Sequence, residues 1–267
     1  MNLSRTSAIV LRYFYLVRGS PARILPMFAW VAIDMVLWGF ITKYLNTVSR
    51  AGFDFVPVLL GAVLLWDFFT RVMHGVTMAF FEDVWARNFL NIFATPLSIS
   101  EYVSGLVLSS IGTSLVGLLV MVPLASAVFG LSFFAYGISI IPFLAVLFLF
   151  GVALGVAGAA IVLRFGPAAE WFIWPVPALV SPFAGVFYPL DTTPRWMQYV
   201  AFTLPPSYVF ENLRVIVSGA RPSGTALIVA LSLALTYVGL TCWIFVRVYR
   251  YTVRIGLIAR YSAESVS

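Results

Sequence analysis

Apolar residues run in six blocks long enough to cross a bilayer, and the polar positions between them set the layout. A helix needs about 20 mostly apolar residues to span the hydrocarbon core. The blocks cover residues 24–44, 56–81, 103–128, 136–163, 167–190 and 224–246. This pattern predicts an all-α membrane protein with six transmembrane helices in one domain over residues 1–267. An interfacial helix is expected at 1–23, the spans at 24–246 and a tail at 247–267.

The polar segments carry structure of their own. Before the first block, Ile9, Val10, Leu11, Phe14 and Leu16 mix with arginines, and Gly19-Ser20-Pro21 ends the stretch. That is the pattern of an amphipathic helix lying in the membrane interface, or of a simple basic anchor. Between blocks two and three, polar Glu82, Asp83, Arg87 and Asn91 alternate with apolar Val84, Trp85, Phe89, Leu90 and Phe93. A short amphipathic helix outside the bilayer is predicted there, broken at Thr95-Pro96. Ser98 then precedes Glu101 by three residues, a capping box that starts the third span.

The stretch between blocks five and six predicts a hairpin. Asp191-Thr192-Thr193-Pro194 is a helix-start signal, with Thr193 as N-cap. A helix beginning at Arg195 ends at Pro205-Pro206, and a second runs from Ser207 towards Gly219. Each is too short to cross a bilayer, so a re-entrant or interfacial hairpin on the outer face is expected. Irregular backbone at membrane depth survives only inside protein or beside water. Block five itself contains Pro167, Pro175, Pro177, Pro182 and Gly185, which excludes a straight rod.

Composition removes the soluble alternatives. Hydrophobic residues make up 62% of the chain and charged residues 10%, with mean hydropathy +1.01. Soluble domains carry about 25% charged residues, so this chain lacks the charge to cover a water-facing surface. Net charge is +6, and its placement orients the spans. Ten arginines fall on the side of the termini, whereas Lys43, Arg50, Arg195, Arg214 and Arg221 lie on the other. Cytoplasmic termini follow from that bias. The basic partner is then anionic lipid headgroups, not nucleic acid. No cleavable leader is expected, because Arg12 and Arg18 interrupt the first apolar stretch.

Candidate chemistry is defined first by what is missing. There is no G-x-x-x-x-G-K-[ST] phosphate loop, and Lys43 is the one lysine in the chain. One histidine and one cysteine make no usual zinc site. No nucleophile elbow occurs. The chain is expected to be no enzyme and to hold no cofactor or metal. What remains is intramembrane charge. Asp67, Arg71 and His74 fall at i, i+4 and i+7 on one face of span two, and Asp34 sits near the middle of span one. Such charges face protein or water. They form either a satisfied structural network or a translocation lining and proton relay. Glu211 and Arg214, at i, i+3, are either an interfacial ion pair or an outer gate. Arg247, Arg250 and Arg254 read as a lipid-phosphate anchor.

Two stretches resemble a known family. The first is F-A-T-P-L-S-I-S-E-Y (Phe93–Tyr102). The second is S-P-F-A-G-V-F-Y-P-L-D, then P-R-W-M-Q-Y and L-P-P-S-Y-V-F-E-N-L-R (Ser181–Arg214). Both are similar to segments in the membrane subunits of type-2 ABC exporters, which export polysaccharides, teichoic acids, nodulation factors and drugs. The resemblance implies a multi-pass permease of the bacterial inner membrane with a coupling helix containing Glu82, Asp83, Arg87 and Asn91. It implies two copies of the permease, as a homodimer, and two copies of a separate cytosolic ABC ATPase carrying ATP and magnesium. The cargo class would be amphipathic, lipid-linked or glycan-type. Trp66, Phe68, Phe69, Trp171 and Trp174 are candidate walls for it. The competing expectation is a proton-coupled secondary transporter using Asp34, Asp67, Arg71 and His74.

Overall fold

The computed structural model describes residues 2–48, 56–86, 89–132 and 136–257, and among these every regular element is helical. Helix α1 spans Leu3–Arg18, with Asn2 as its side-chain cap, and α2 spans Pro21–Val48. A π-helical turn, Val56–Leu60, leads into α3, Gly61–Trp85. After the short α4, Phe89–Phe93, come α5, Ile99–Phe129, and α6, Ile140–Phe165. A 3₁₀ turn, Pro167–Phe172, precedes α7, Val176–Ala184. The chain closes with α8, Arg195–Ala201, α9, Pro205–Val217, and α10, Gly224–Arg254.

Among the described residues, four helical stretches are long and apolar enough to cross a membrane: Val56–Trp85, Ile99–Phe129, Ile140–Phe165 and Gly224–Arg254. They match blocks two, three, four and six. Block one lies within α2, which begins at Pro21 directly after Gly19-Ser20, so the break falls three residues before the expected boundary. Block five does not form one helix. Pro175 caps a nine-residue α7 that stops at Gly185, which adopts the left-handed region at φ 65°. A nine-residue helix rises about 14 Å and cannot span the hydrocarbon core alone. At the far end, α10 continues through Arg247, Arg250 and Arg254, so the last helix runs on past the expected span end at residue 246.

The core is the seam of α3 with α6. Gly151, Gly155 and Gly158 give α6 a side-chain-free ridge, and the small-x-x-x-small spacing lets backbones approach. A Cβ on Gly155 would stand 2.7 Å from the Met73 carbonyl oxygen and 2.7 Å from Val76 Cβ. Phe69 stacks on Phe150 with centroids 5.6 Å apart. Val72, Met73, Val76 and Phe80 are completely buried along the same face. On the opposite side α5 is fastened to α3 by Ser110 Oγ, which donates to the Val72 carbonyl at 2.8 Å. α10 covers α6 through Phe150 and Tyr237, edge to face at 5.3 Å.

The region after span two departs from the expected amphipathic helix. Nothing in Glu82-Asp83-Val84-Trp85 breaks a helix, and α3 runs on through them. Glu82 and Asp83 are consequently buried, at 9% and 2% exposure, and not on a protruding surface. Arg12 of α1 forms an ion pair with Asp83 Oδ1, and Tyr102 of α5 donates to Asp83 Oδ2 at 2.7 Å. These partners make the carboxylate tolerable inside the fold. The separate element that does form is α4, on which Asn91 is exposed. Arg87 lies outside the described residues.

The capping box stands as expected. Glu101 N–H donates to Ser98 Oγ at 3.3 Å, and Ser98 N–H donates to Glu101 Oε2 at 2.9 Å. Its other carboxylate oxygen accepts the Asn2 N–H at 2.7 Å, so the cap of α5 also holds the start of α1. The amphipathic N-terminal helix is thereby docked against α3 and α5 at one end of the bundle.

Candidate functional site

A cavity of about 1050 Å³ opens beside α3. Its lining comes from α1 (Tyr13, Leu16, Val17), α2 (Asp34), α3 (Asp67 to Trp85), α5 (Thr113) and the loop residue Trp174. The stripe expected from sequence spacing faces this space. Asp67, Arg71 and His74 share one side of α3 because they lie at helical intervals, and Asp34 meets them from α2.

The stripe is partly self-satisfied. Arg71 Nε donates to Asp67 Oδ2 at 3.0 Å, an i,i+4 ion pair with both side chains largely buried. Arg71 reaches its position across Gly117 of α5, where a Cβ would stand 2.9 Å from Arg71 Cδ. The arginine charge acts on Asp34, Asp67 and His74 alike. His74 packs its ring against Trp174 at 4.9 Å, and its Nε2 is buried without a hydrogen-bond partner. Asp34 lines the cavity, half-buried, with no hydrogen bond or ion pair among the described residues. The four side chains together form a polar patch inside an apolar bundle, in which Asp34 feels the Arg71 charge without a hydrogen bond to it among the described residues.

Of the aromatic residues expected to line a route, Trp174 does so. Phe69 is fully buried, and Phe68 is 6% exposed. Trp66 packs on Phe69 and Phe210, at 4.7 and 6.0 Å. Trp171 is 72% exposed, on the outer surface. Sequence spacing missed Trp85, which lines the cavity and donates Nε1–H to Glu170 Oε2 at 3.0 Å. It also missed Tyr13. No signal in the chain joined α1 to span two, because their contact depends on tertiary docking.

The hairpin residues belong to a different cluster. Arg214 Nη2 donates to the carbonyls of Gly185, Val186 and Tyr188, the last at 2.9 Å. Its Nη1 donates to Glu211 Oε1 at 2.9 Å, and the same carboxylate oxygen accepts the Leu190 N–H at 2.9 Å. The fork geometry of the guanidinium suits several acceptors at once. Burial pulls the Arg214 pKa down, while Glu211 and Asp191 hold it up. The left-handed Gly185 turn is therefore pinned to α9 by one side chain, and the second family-like stretch closes on itself. Thr193 does not cap α8. Its hydroxyl donates to the Leu190 carbonyl at 2.6 Å, and Pro194 takes the cap position. Arg195 is exposed on α8.

Among the described residues no cluster of His, Cys, Asp and Glu is arranged to hold a metal ion. The fold and site define a helical membrane protein with a charged internal cavity. No protein-family model matches the chain, and no curated protein matches it.

Proposed function

We propose that this chain is the transmembrane subunit of an ATP-driven exporter, with α1 at the cytoplasmic interface and both termini in the cytoplasm of a bacterium. In this reading six segments cross the inner membrane, with α2 and the broken stretch around α7 joining the four long apolar helices. Two permease copies form the pathway, and two ATPase chains bind below. The observation that carries the reading is the cavity in which Asp34, Asp67, Arg71 and His74 meet. Intramembrane charge facing a cavity marks a translocation route more readily than it serves packing. The likeness of Phe93–Tyr102 and Ser181–Arg214 to type-2 ABC exporters supports an ATPase as the source of energy.

The coupling contact is assigned to α4 and its flanks, where Asn91 is exposed. Glu82 and Asp83 lie at the end of α3 that precedes it in the chain. Affinity purification from native membranes tests the assignment. Stoichiometric recovery of a Walker-motif ATPase is expected, and Asn91→Arg is expected to reduce it while insertion stays normal. Robust transport driven by a pH gradient in vesicles containing this chain alone would sink the exporter reading.

A second reading is favoured by the same cavity: proton-coupled transport with Asp34 and His74 as carriers. The unpartnered Nε2 of His74 is the observation behind it. Transport that survives loss of the ATPase and fails in Asp34→Asn supports this alternative.

A further inference from the structure

We infer that the cavity binds a cationic amphipathic molecule, an organic ammonium or phosphonium head carrying apolar groups, with Asp34 as its counter-ion. The inference rests on the transport reading and names the class of cargo for the same cavity. Three features carry it. The first is Asp34, a carboxylate lining a cavity of about 1050 Å³ with no hydrogen bond or ion pair among the described residues. A half-buried carboxylate that lines a cavity inside an apolar bundle is matched by an incoming opposite charge.

The second is the charge inventory of the lining. Among the described residues, Asp34 and Asp67 face this space together with one guanidinium, Arg71. Arg71 is already bonded to Asp67. An anion entering the cavity would meet two aspartates and an arginine that already bonds to one of them through Nε. The third is the wall. Trp174 and Trp85 present ring surface, which attracts a diffuse cation, and Leu16, Val17 and Met78 accept apolar groups. A small metal ion fits poorly, since hard cations need about six or more oxygen ligands.

The test uses the full chain in nanodiscs of zwitterionic lipid. Equilibrium binding of tetraphenylphosphonium and tetraphenylborate is measured, with empty nanodiscs subtracted. The two ions share a shape and differ in sign. The phosphonium is expected to bind saturably and the borate not. Asp34→Asn should weaken phosphonium binding by about tenfold, and Asp34→Glu should keep it within about threefold. Equal binding of the two ions overturns the inference. So does wild-type phosphonium affinity in a folded, monodisperse Asp34→Asn protein. Should that variant fail to fold, Trp174→Leu replaces it, and unchanged phosphonium affinity there overturns the inference equally. The ATPase experiment is separate. Saturable phosphonium binding with no ATPase partner removes the exporter reading and leaves the site, whereas an ATPase partner without phosphonium binding removes the cation site alone.

Discussion

Arg71 and Asp67, one turn apart on α3, bond to each other at 3.0 Å on the wall of the cavity. Neither side chain is more than 18% exposed. Removing one partner of such a pair strands the other, which costs about 3–5 kcal/mol in buried soluble cases. In membrane proteins the unfolded reference also finds partners, so the loss is smaller, about 1–2 kcal/mol. Asp67→Asn is expected to lower the melting temperature in detergent. The double variant Asp67→Leu with Arg71→Met should recover part of that loss, giving a positive coupling in a double-mutant cycle. Unchanged stability in Asp67→Asn would show that the pair is not structural.

The Arg214 clamp predicts a failed conservative exchange. Arg214→Lys keeps the charge, but one ammonium cannot serve the carbonyls of Gly185, Val186 and Tyr188 together with Glu211. A loss of about 2–3 kcal/mol is expected, in line with hydrogen bonds to charged groups. Limited proteolysis between Pro182 and Thr193 reports it directly, with faster cleavage in the variant. Equal cleavage rates would contradict the clamp.

Two glycines with opposite surroundings give a matched pair. At Gly155 any Cβ collides with the Met73 carbonyl and with Val76, so Gly155→Val should destabilise by several kcal/mol, on the order of 3. At Gly112 nothing lies within 4 Å of a new Cβ. Gly112→Ala should be neutral or stabilise by up to ~1 kcal/mol through helix propensity. Thermal unfolding of both variants in one detergent settles the comparison, and a destabilised Gly112→Ala would show a neighbour that the fold does not display.

Docking of α1 is testable at Tyr102. Its hydroxyl donates to Asp83 at 2.7 Å, and Asp83 pairs with Arg12. Tyr102→Phe removes one donor to a buried carboxylate, which costs about 1–3 kcal/mol. Arg12→Ala removes the charge that ties α1 to the bundle. Hydrogen exchange over Leu3–Arg18 is expected to accelerate more in Arg12→Ala than in Tyr102→Phe. The reverse order would place the anchor elsewhere.

The long helices and the charged stripe were legible in the sequence because both depend on local periodicity. Asp67, Arg71 and His74 share a face in any helix. The capping box at Ser98 and Glu101 was readable for the same reason, as were the two short helices that became α8 and α9. What spacing did not hold is tertiary. Glu82 and Asp83 look like a solvated face until Arg12, 71 residues before Asp83, arrives to neutralise one of them. Glu211 and Arg214 look like a surface pair until the turn after α7 folds back onto them. Block five was readable as broken, but the place where α7 ends depends on Gly185 adopting φ 65° under the Arg214 fork.

The glycine ridge of α6 has a mechanical consequence. With backbones this close, α3 and α6 interlock like a keyed joint, and sliding one past the other would drive Val72 and Val76 into the opposing backbone. The α3 wall of the cavity is therefore stiff. The α3 face that lines the cavity is thus backed by a helix that cannot slide past it, while the Arg12–Asp83 contact ties α1 to the same helix.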